Sequence, residues 1–238
     1  MNKIILVDAD SLCYIGGSCD EVDQAYDKVD QAISNIISTS SASHYMIFAE
    51  RPNNNLFRKK IVSSYKIGRV NKELPKFYRE IKEYLIGTWN AYGIQGYESD
   101  DVIISTWRKL SDEYPFTEIL VAGMDKDLKQ YPITLFDTYY RRFGEISKIS
   151  EEDANYNLWL QVIMGDSTDS ISGIKGKGIK YAESVLKGSK NHFITTCRSY
   201  KEVYGSRWQK NLIKNYVQVR LLDNLSVSID LTMVDFSN

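Results

Sequence analysis

The chain of 238 residues lacks any apolar run approaching the roughly 18 residues that cross a bilayer, and nothing behind Met1 reads as a secretory leader. The expectation is a cytoplasmic protein, in the host cytoplasm if viral, with no membrane partner. Histidine is nearly absent, with only His44 and His192, and the three cysteines Cys13, Cys19 and Cys197 stand at no paired spacing. That excludes zinc fingers and zinc proteases, and an odd, scattered set of thiols gives no disulfide framework. There are four prolines and no repeat, low-complexity tract or evident linker, so one compact body is expected. A dominant charge is lacking too, since 30 basic residues face 31 acidic ones.

Those charges are unevenly spread. Residues 58–82 hold nine basic side chains (Arg58, Lys59, Lys60, Lys66, Arg69, Lys72, Lys76, Arg79, Lys82) against Glu73 and Glu80, and residues 175–190 hold five lysines against Glu183. Stretches this dense either neutralise phosphates or form a solvated charged surface. Hydrophobic residues at 43% suffice for a packed core.

Apolar runs at residues 3–7, 45–48 and 118–122, with a shorter one at 134–136, read as buried strands. Between them, Val22, Ala25, Tyr26, Val29, Ile33, Ile36 and Ile37 recur at helical spacing. Residues 75–92, opened by Pro75, and 100–114, ended by Pro115, read as two more helices. Strands alternating with helices predict an α/β fold, a mostly parallel sheet flanked by helices, and such sheets bind ligands beyond the carboxyl ends of their strands. From residue 151 the pattern turns helical: 151–164, a glycine-rich turn, 179–187, then two weaker helices to about Leu222. The predicted organisation is a core over 1–150, carrying a basic segment at about 50–76, and a helical lobe over 151–238.

Acidic residues collect where those strands end. Asp8 and Asp10 follow the first, Glu50 the second, and Asp125 and Asp127 the third; Glu98, Asp100 and Asp101 open the helix at 100–114. Capping alone would explain Asp100, but not three acids in four residues beside the strand-end set. So many carboxylates in one crevice repel each other unless cations neutralise them, and an all-oxygen set favours magnesium or manganese. The glycine-rich turn carries Asp166 and Asp169 three apart, then Gly173, Gly176 and Gly178 among Lys175, Lys177 and Lys180. Closely spaced glycines before a helix let the backbone approach a phosphate.

That turn resembles the helix-three-turn-helix motif of the flap endonuclease and 5'-3' exonuclease superfamily, to which the DNA polymerase I 5'-nucleases belong. The likeness extends to Val7-Asp8, to the segment from Phe57-Arg58 through Tyr65-Lys66 to Arg69, to Tyr97-Glu98-Ser99-Asp100-Asp101, and to Met124-Asp125-Lys126-Asp127-Leu128. Five motifs in order are closest in appearance to phage flap endonucleases. The resemblance implies a PIN-like nuclease core with a helix-three-turn-helix lobe. It implies a structure-specific 5'-nuclease that hydrolyses DNA phosphodiester bonds by two-metal-ion catalysis, with RNA primers of replication as a further substrate. Asp8, Glu50, Glu98, Asp100, Asp101 and Asp125 would serve one Mg2+, with Asp127, Asp166 and Asp169 helping a second; Mn2+ would substitute, and a K+ ion would sit at the glycine-rich loop. Lys66 and Arg69 would contact the scissile phosphate. Arg58, Tyr65, Gly173, Gly176, Gly178 and Lys180 would bind branched, nicked or 5'-ended DNA, or an RNA-DNA hybrid, with the protein a monomer and Tyr65 stacking on the terminal base.

Three features depart from the pattern. Glu50 stands where aspartate is usual, Ser63 where proline is common, and the stretch from Arg69 to Glu98 leaves little chain for a helical arch, so strict threading of a 5' flap is not expected. Two other readings stay open: a branched-DNA-binding replication factor with weak or no turnover, and a PIN-type ribonuclease, which normally lacks the glycine-rich motif.

Overall fold

The computed structural model describes residues 3–52, 55–69 and 72–234. Its centre is a six-stranded sheet in the order β5-β4-β3-β1-β2-β6. Strands β1 (Lys3–Asp8), β2 (His44–Phe48), β3 (Glu118–Gly123) and β4 (Thr134–Asp137) run parallel, and β5 (Ile146–Lys148) and β6 (Thr232–Met233) close the edges antiparallel. Alternation along β1 explains its central place. Ile5 and Val7 pack on one side with helix α1 (Val22–Ser40), while Ile4 and Leu6 pack on the other with α4 (Ser99–Glu113), so both faces are covered. The chain leaves β1 for β2 on one flank and returns to β3 on the other, and Asp8 ends β1 at that switch point.

The parallel strands and most helices lie where periodicity places them. The helix expected over 75–92 is shorter, α3 (Tyr78–Gly87), because tertiary contacts override its ends. Phe77 adopts a left-handed conformation where the chain crosses Gly16, at which an added Cβ would lie 2.2 Å from the Lys76 carbonyl oxygen. Beyond the helix, Tyr92 runs beside β2, donating its N–H to Ile47 at 2.8 Å.

Helices α5 (Glu151–Met164), α6 (Ile179–Leu186), α7 (His192–Tyr204) and α8 (Trp208–Val219) form the lobe around a core of their own. After α8 the chain does not stay with them, which amends the expected 151–238 unit. It runs back as a strap along α4, where Leu222 and Leu225 bond Ser105 and Lys109 donates to Val227, and ends as β6 beside β2. The short helix α2 (Phe57–Ile61) and a 3-10 turn at Ile67–Arg69 are the regular structure of the basic segment among its described residues. No helix is long and apolar enough to cross a membrane among the described residues.

Candidate active site

A cleft of about 710 Å³ opens at the carboxyl ends of β1, β2 and β3 and is walled on its far side by the lobe. Asp8, Glu50, Glu98, Asp100, Asp125, Asp127, Asp166 and Asp169 all line it, as do Lys66 and Arg69. Residues from five separate stretches of sequence thus converge. Strand ends supply Asp8, Glu50 and Asp125; the first turn of α4 supplies Asp100; the bend after α5 supplies Asp166 and Asp169. That bend is locked by paired backbone hydrogen bonds between Asp166 and Ile171, at 2.9 and 2.7 Å. Gly165 and Gly173 lie face to face beneath it at positive φ, where a Cβ on either would come within 2.5 Å of the other's backbone. Only glycine fits there.

The acids split into two electrostatic groups. Burial, then the neighbouring Asp10, pushes Asp8 up to about 7, and the same two causes push Glu50 up to about 7. Burial and then Asp125 push Asp127 up to about 6; burial and then Glu98 hold Asp100 well above the usual carboxylate range. These carboxyls stand too close together for all to ionise without a cation. In the second group burial is outweighed by basic partners: Lys66 and Arg58 hold Glu98 low, and Lys126 holds Asp166 low. The ammonium of Lys66 donates to Glu98, that of Lys126 bridges Asp127 and Asp166, and Arg69 pairs with Asp169. Among the described residues no group of three His, Cys, Asp or Glu side chains is arranged to hold an ion by itself. The donor set nevertheless fits hard divalent cations, being all oxygen and charge-excessive where it ionises.

Three expectations are corrected by burial. Arg58 is 1% exposed: its guanidinium is bidentate with Asp101, donates to Glu98 at 2.7 Å and to the Arg220 carbonyl at 2.7 Å, so it ties the core to the strap and cannot reach DNA. Asp101 is fully buried, held by Arg58 and by the Leu222 N–H at 2.9 Å, and lies outside the cleft, so it is not placed as a metal ligand. Tyr65 is 4% exposed and donates its hydroxyl to Glu98 at 2.8 Å, which leaves no free face for base stacking. Gly176, Gly178 and Lys180 are exposed and do not line the cleft, although Gly178 lines a smaller pocket beside it with Lys126, Asp166 and Thr168; nothing stands within 4 Å of a Cβ added at Gly176 or Gly178.

Other residues matter more than the sequence suggested. Both Asp10 oxygens accept the Glu50 N–H, at 3.0 and 3.1 Å, and Lys82 pairs with the same carboxylate at 3.1 Å, so the ends of β1 and β2 are clamped to α3. Position i+2 after Asp8 signalled Asp10, whereas nothing distinguished Lys82 within its basic stretch. The basic turn is also fastened to the lobe: the Lys66 N–H donates to the Asp169 carbonyl at 2.8 Å and the Gly68 N–H to the Ser170 hydroxyl at 3.2 Å.

Acids gathered at the switch point of a parallel sheet, beneath a basic turn and beside a glycine-bent helical lobe, define a PIN-like 5'-nuclease architecture. The family described as 5'-3' exonuclease, N-terminal resolvase-like domain, matches residues 18–154, and the chain belongs to it. A 5'-3' exonuclease of Mycoplasmopsis pulmonis is 28% identical over 70% of this chain, and the chain spans only 56% of that relative. Flap endonuclease Xni of Shewanella putrefaciens is 27% identical over 93% of this chain and 87% of its own length. Among solved structures, the bacteriophage T5 flap endonuclease in a pseudo-enzyme-product complex with DNA and metal ions superposes with a TM-score of 0.68, 16% identity and coverage of 92% of this chain and 89% of that one.

Proposed function

We propose that this chain is a metal-dependent 5'-3' exonuclease and flap endonuclease that hydrolyses DNA phosphodiester bonds in branched, nicked or 5'-ended duplexes, with RNA in an RNA-DNA hybrid as a further substrate. The observation that carries the reading is the convergence of nine carboxylates, Asp10 among them, from five stretches of chain in one cleft beside Lys66 and Arg69. Two Mg2+ ions, replaceable by Mn2+, would be held by Asp8, Glu50, Glu98, Asp100 and Asp125 on one side and Asp127, Asp166 and Asp169 on the other. Bound there, such a pair activates water and stabilises the departing oxygen. Lys66 and Arg69 reach the cleft from the turn fixed to Asp169 and Ser170, where their charge can offset that of the attacked phosphate. The outward backbone at Gly176 and Gly178, with Lys180 beside it, suits a duplex phosphate, and a K+ ion at this loop belongs to the same proposal.

The test is to incubate the monomeric protein and Mg2+ with end-labelled flap, nicked, gapped and blunt duplexes and with an RNA-DNA hybrid, and to read product lengths. Short products from the 5' end or cuts at the branch are expected, lost in chelator and poorly restored by Zn2+. Binding of branched DNA with no cleavage of any substrate would leave a non-catalytic scaffold instead, and potassium dependence of duplex binding tests the loop ion.

A further inference from the structure

Two buried glutamines link the strap to the cleft, and neither belongs to the acid set. Gln130, at the end of the 3-10 turn Lys126–Gln130, is 3% exposed, and Gln161, on the third turn of α5, is 6% exposed. The Leu221 N–H donates to Gln130 Oε1 at 3.3 Å, and Gln130 Nε2 donates both to the Val219 carbonyl at 3.0 Å and to Gln161 Oε1 at 2.7 Å. Gln161 Nε2 in turn donates to Asp127 Oδ1 at 3.0 Å.

The direction of this chain is fixed from one end. A side-chain amide can rotate by half a turn and exchange its oxygen for its nitrogen, but Gln130 meets a backbone donor on one side and a backbone acceptor on the other. Reversal would set oxygen against the Val219 carbonyl and nitrogen against the Leu221 N–H. With Gln130 fixed, Gln161 must offer it an oxygen, and therefore must present N–H to Asp127. Lys126 also binds Asp127 through Oδ1, at 3.0 Å. One oxygen of this carboxylate is thus tethered from two directions, which orients the other.

We propose that Gln161 and Gln130 are positioning residues for Asp127, a relay by which the end of α8 and the start of the strap, residues 219–221, set the orientation of one carboxylate in the cleft. The inference rests on the nuclease reading above, since it concerns a carboxylate assigned there to a divalent ion. Its physical basis is that groups hydrogen-bonded behind a ligand fix its orientation, and that losing such a partner costs about 10- to 100-fold in metal affinity or activity. A buried pair of glutamines serving only the core would be replaceable by apolar side chains of similar size with no change at the cleft.

The experiment replaces Gln161 with Leu, which keeps the volume and removes the donor, and follows Mn2+ binding by electron paramagnetic resonance, single-turnover cleavage of a flap in Mg2+, and flap binding in chelator. Expected for Gln161→Leu are Mn2+ affinity and cleavage rate each reduced about 10-fold or more, with flap binding in chelator close to wild type. The same loss should vanish in an Asp127→Asn background, where Gln161→Leu should leave Mn2+ binding where the single variant put it. Wild-type Mn2+ affinity and rate in Gln161→Leu would overturn the relay. Should that variant not fold, Gln130→Met, which retains Gln161 but removes what fixes its direction, reads the same quantities, and failure of both to fold assigns the pair to the core and overturns the proposal. A wild-type protein that neither binds Mn2+ nor cleaves any substrate would instead fail the nuclease reading, a result distinguishable from equality of variant and wild type.

Discussion

Arg58 and Lys66 belong to one basic stretch, but burial gives them opposite work. Replacing Arg58 with Met would leave Asp101 buried without its cation and Glu98 with Lys66 alone, and removing one partner of such a group costs about 3 to 5 kcal/mol. A thermal melt should show that loss, whereas flap affinity of the remaining folded protein should hardly change; the reverse pattern would return Arg58 to the DNA interface. Lys66 lies in the cleft with its side chain 16% exposed, held by Glu98 and Asp169. Lys66→Ala should lower the single-turnover rate at saturating enzyme by roughly 100-fold, about 3 kcal/mol, as loss of one electrostatic group in a water-poor site does. Lys72→Ala, exposed on the same stretch, should only weaken binding and cut its salt slope by about one. Equal rates for Lys66→Ala and wild type would reduce the whole stretch to an electrostatic guide. The sequence could not separate these residues, because charge and motif position are alike for a buried arginine and a cleft lysine. The carboxylates of Asp8, Glu50 and Asp125 were readable because strand-end position alone brings them together; the burial of Asp101 depends on the strap, more than a hundred residues distant, which no local pattern encodes.

Elements repeat the lesson. The parallel strands, α1, α4 and α5 were legible since apolar periodicity and proline or glycine punctuation agree with tertiary need. The edge strands β5 and β6 were not: both are three residues or fewer, exposed along their length, and exist through pairing with a neighbour. In the lobe bend, Gly173→Ala should combine left-handed strain of about 1 to 2 kcal/mol with overlap against Gly165 and Ile163 of about 1 to 3 kcal/mol. Gly176→Ala, also at positive φ but with open space around it, should show the strain alone in denaturant unfolding, and equal losses would contradict the packing described. The basic segment is the element with functional consequence. Fastened to Asp169 and Ser170, and with no helix between the 3-10 turn ending at Arg69 and α3 among its described residues, it offers little span for an enclosing arch. A flap whose 5' end carries a bulky block should therefore still be cut when the block is in place before the enzyme is added; complete inhibition in that order of addition would show that threading is required.

At the scale of the whole molecule, the cleft is a joint among three parts, and its charge couples folding to pH and to metal. Asp8, Glu50 and Asp127 have folded-state pKa values raised to about 7, about 7 and about 6, by burial first and neighbouring acids second. A carboxyl raised on folding takes up a proton as the chain folds. The stability it contributes is fully present below its unfolded value, near 3.8 for Asp and 4.5 for Glu, and is lost as pH rises through the folded value. Glu98 and Asp166 are lowered instead, so their contribution is lost only on acidification below the ordinary carboxylate range and leaves the neutral window untouched. The melting temperature in chelator should accordingly fall between about pH 5 and pH 8 as the raised group ionises. A divalent cation favours the ionised carboxylates, so Mg2+ should add least to the melting temperature at the acid end and most at the alkaline end, reaching about 2.7 kcal/mol where its concentration is about 100 times the dissociation constant. Calorimetric scans across that window with and without Mg2+ check both slopes. A melting temperature in chelator that is flat or rising across it, with a Mg2+ increment independent of pH, would mean that these carboxyls are already compensated by Lys126 and Lys82, and that the cleft has no standing charge excess to draw a metal pair.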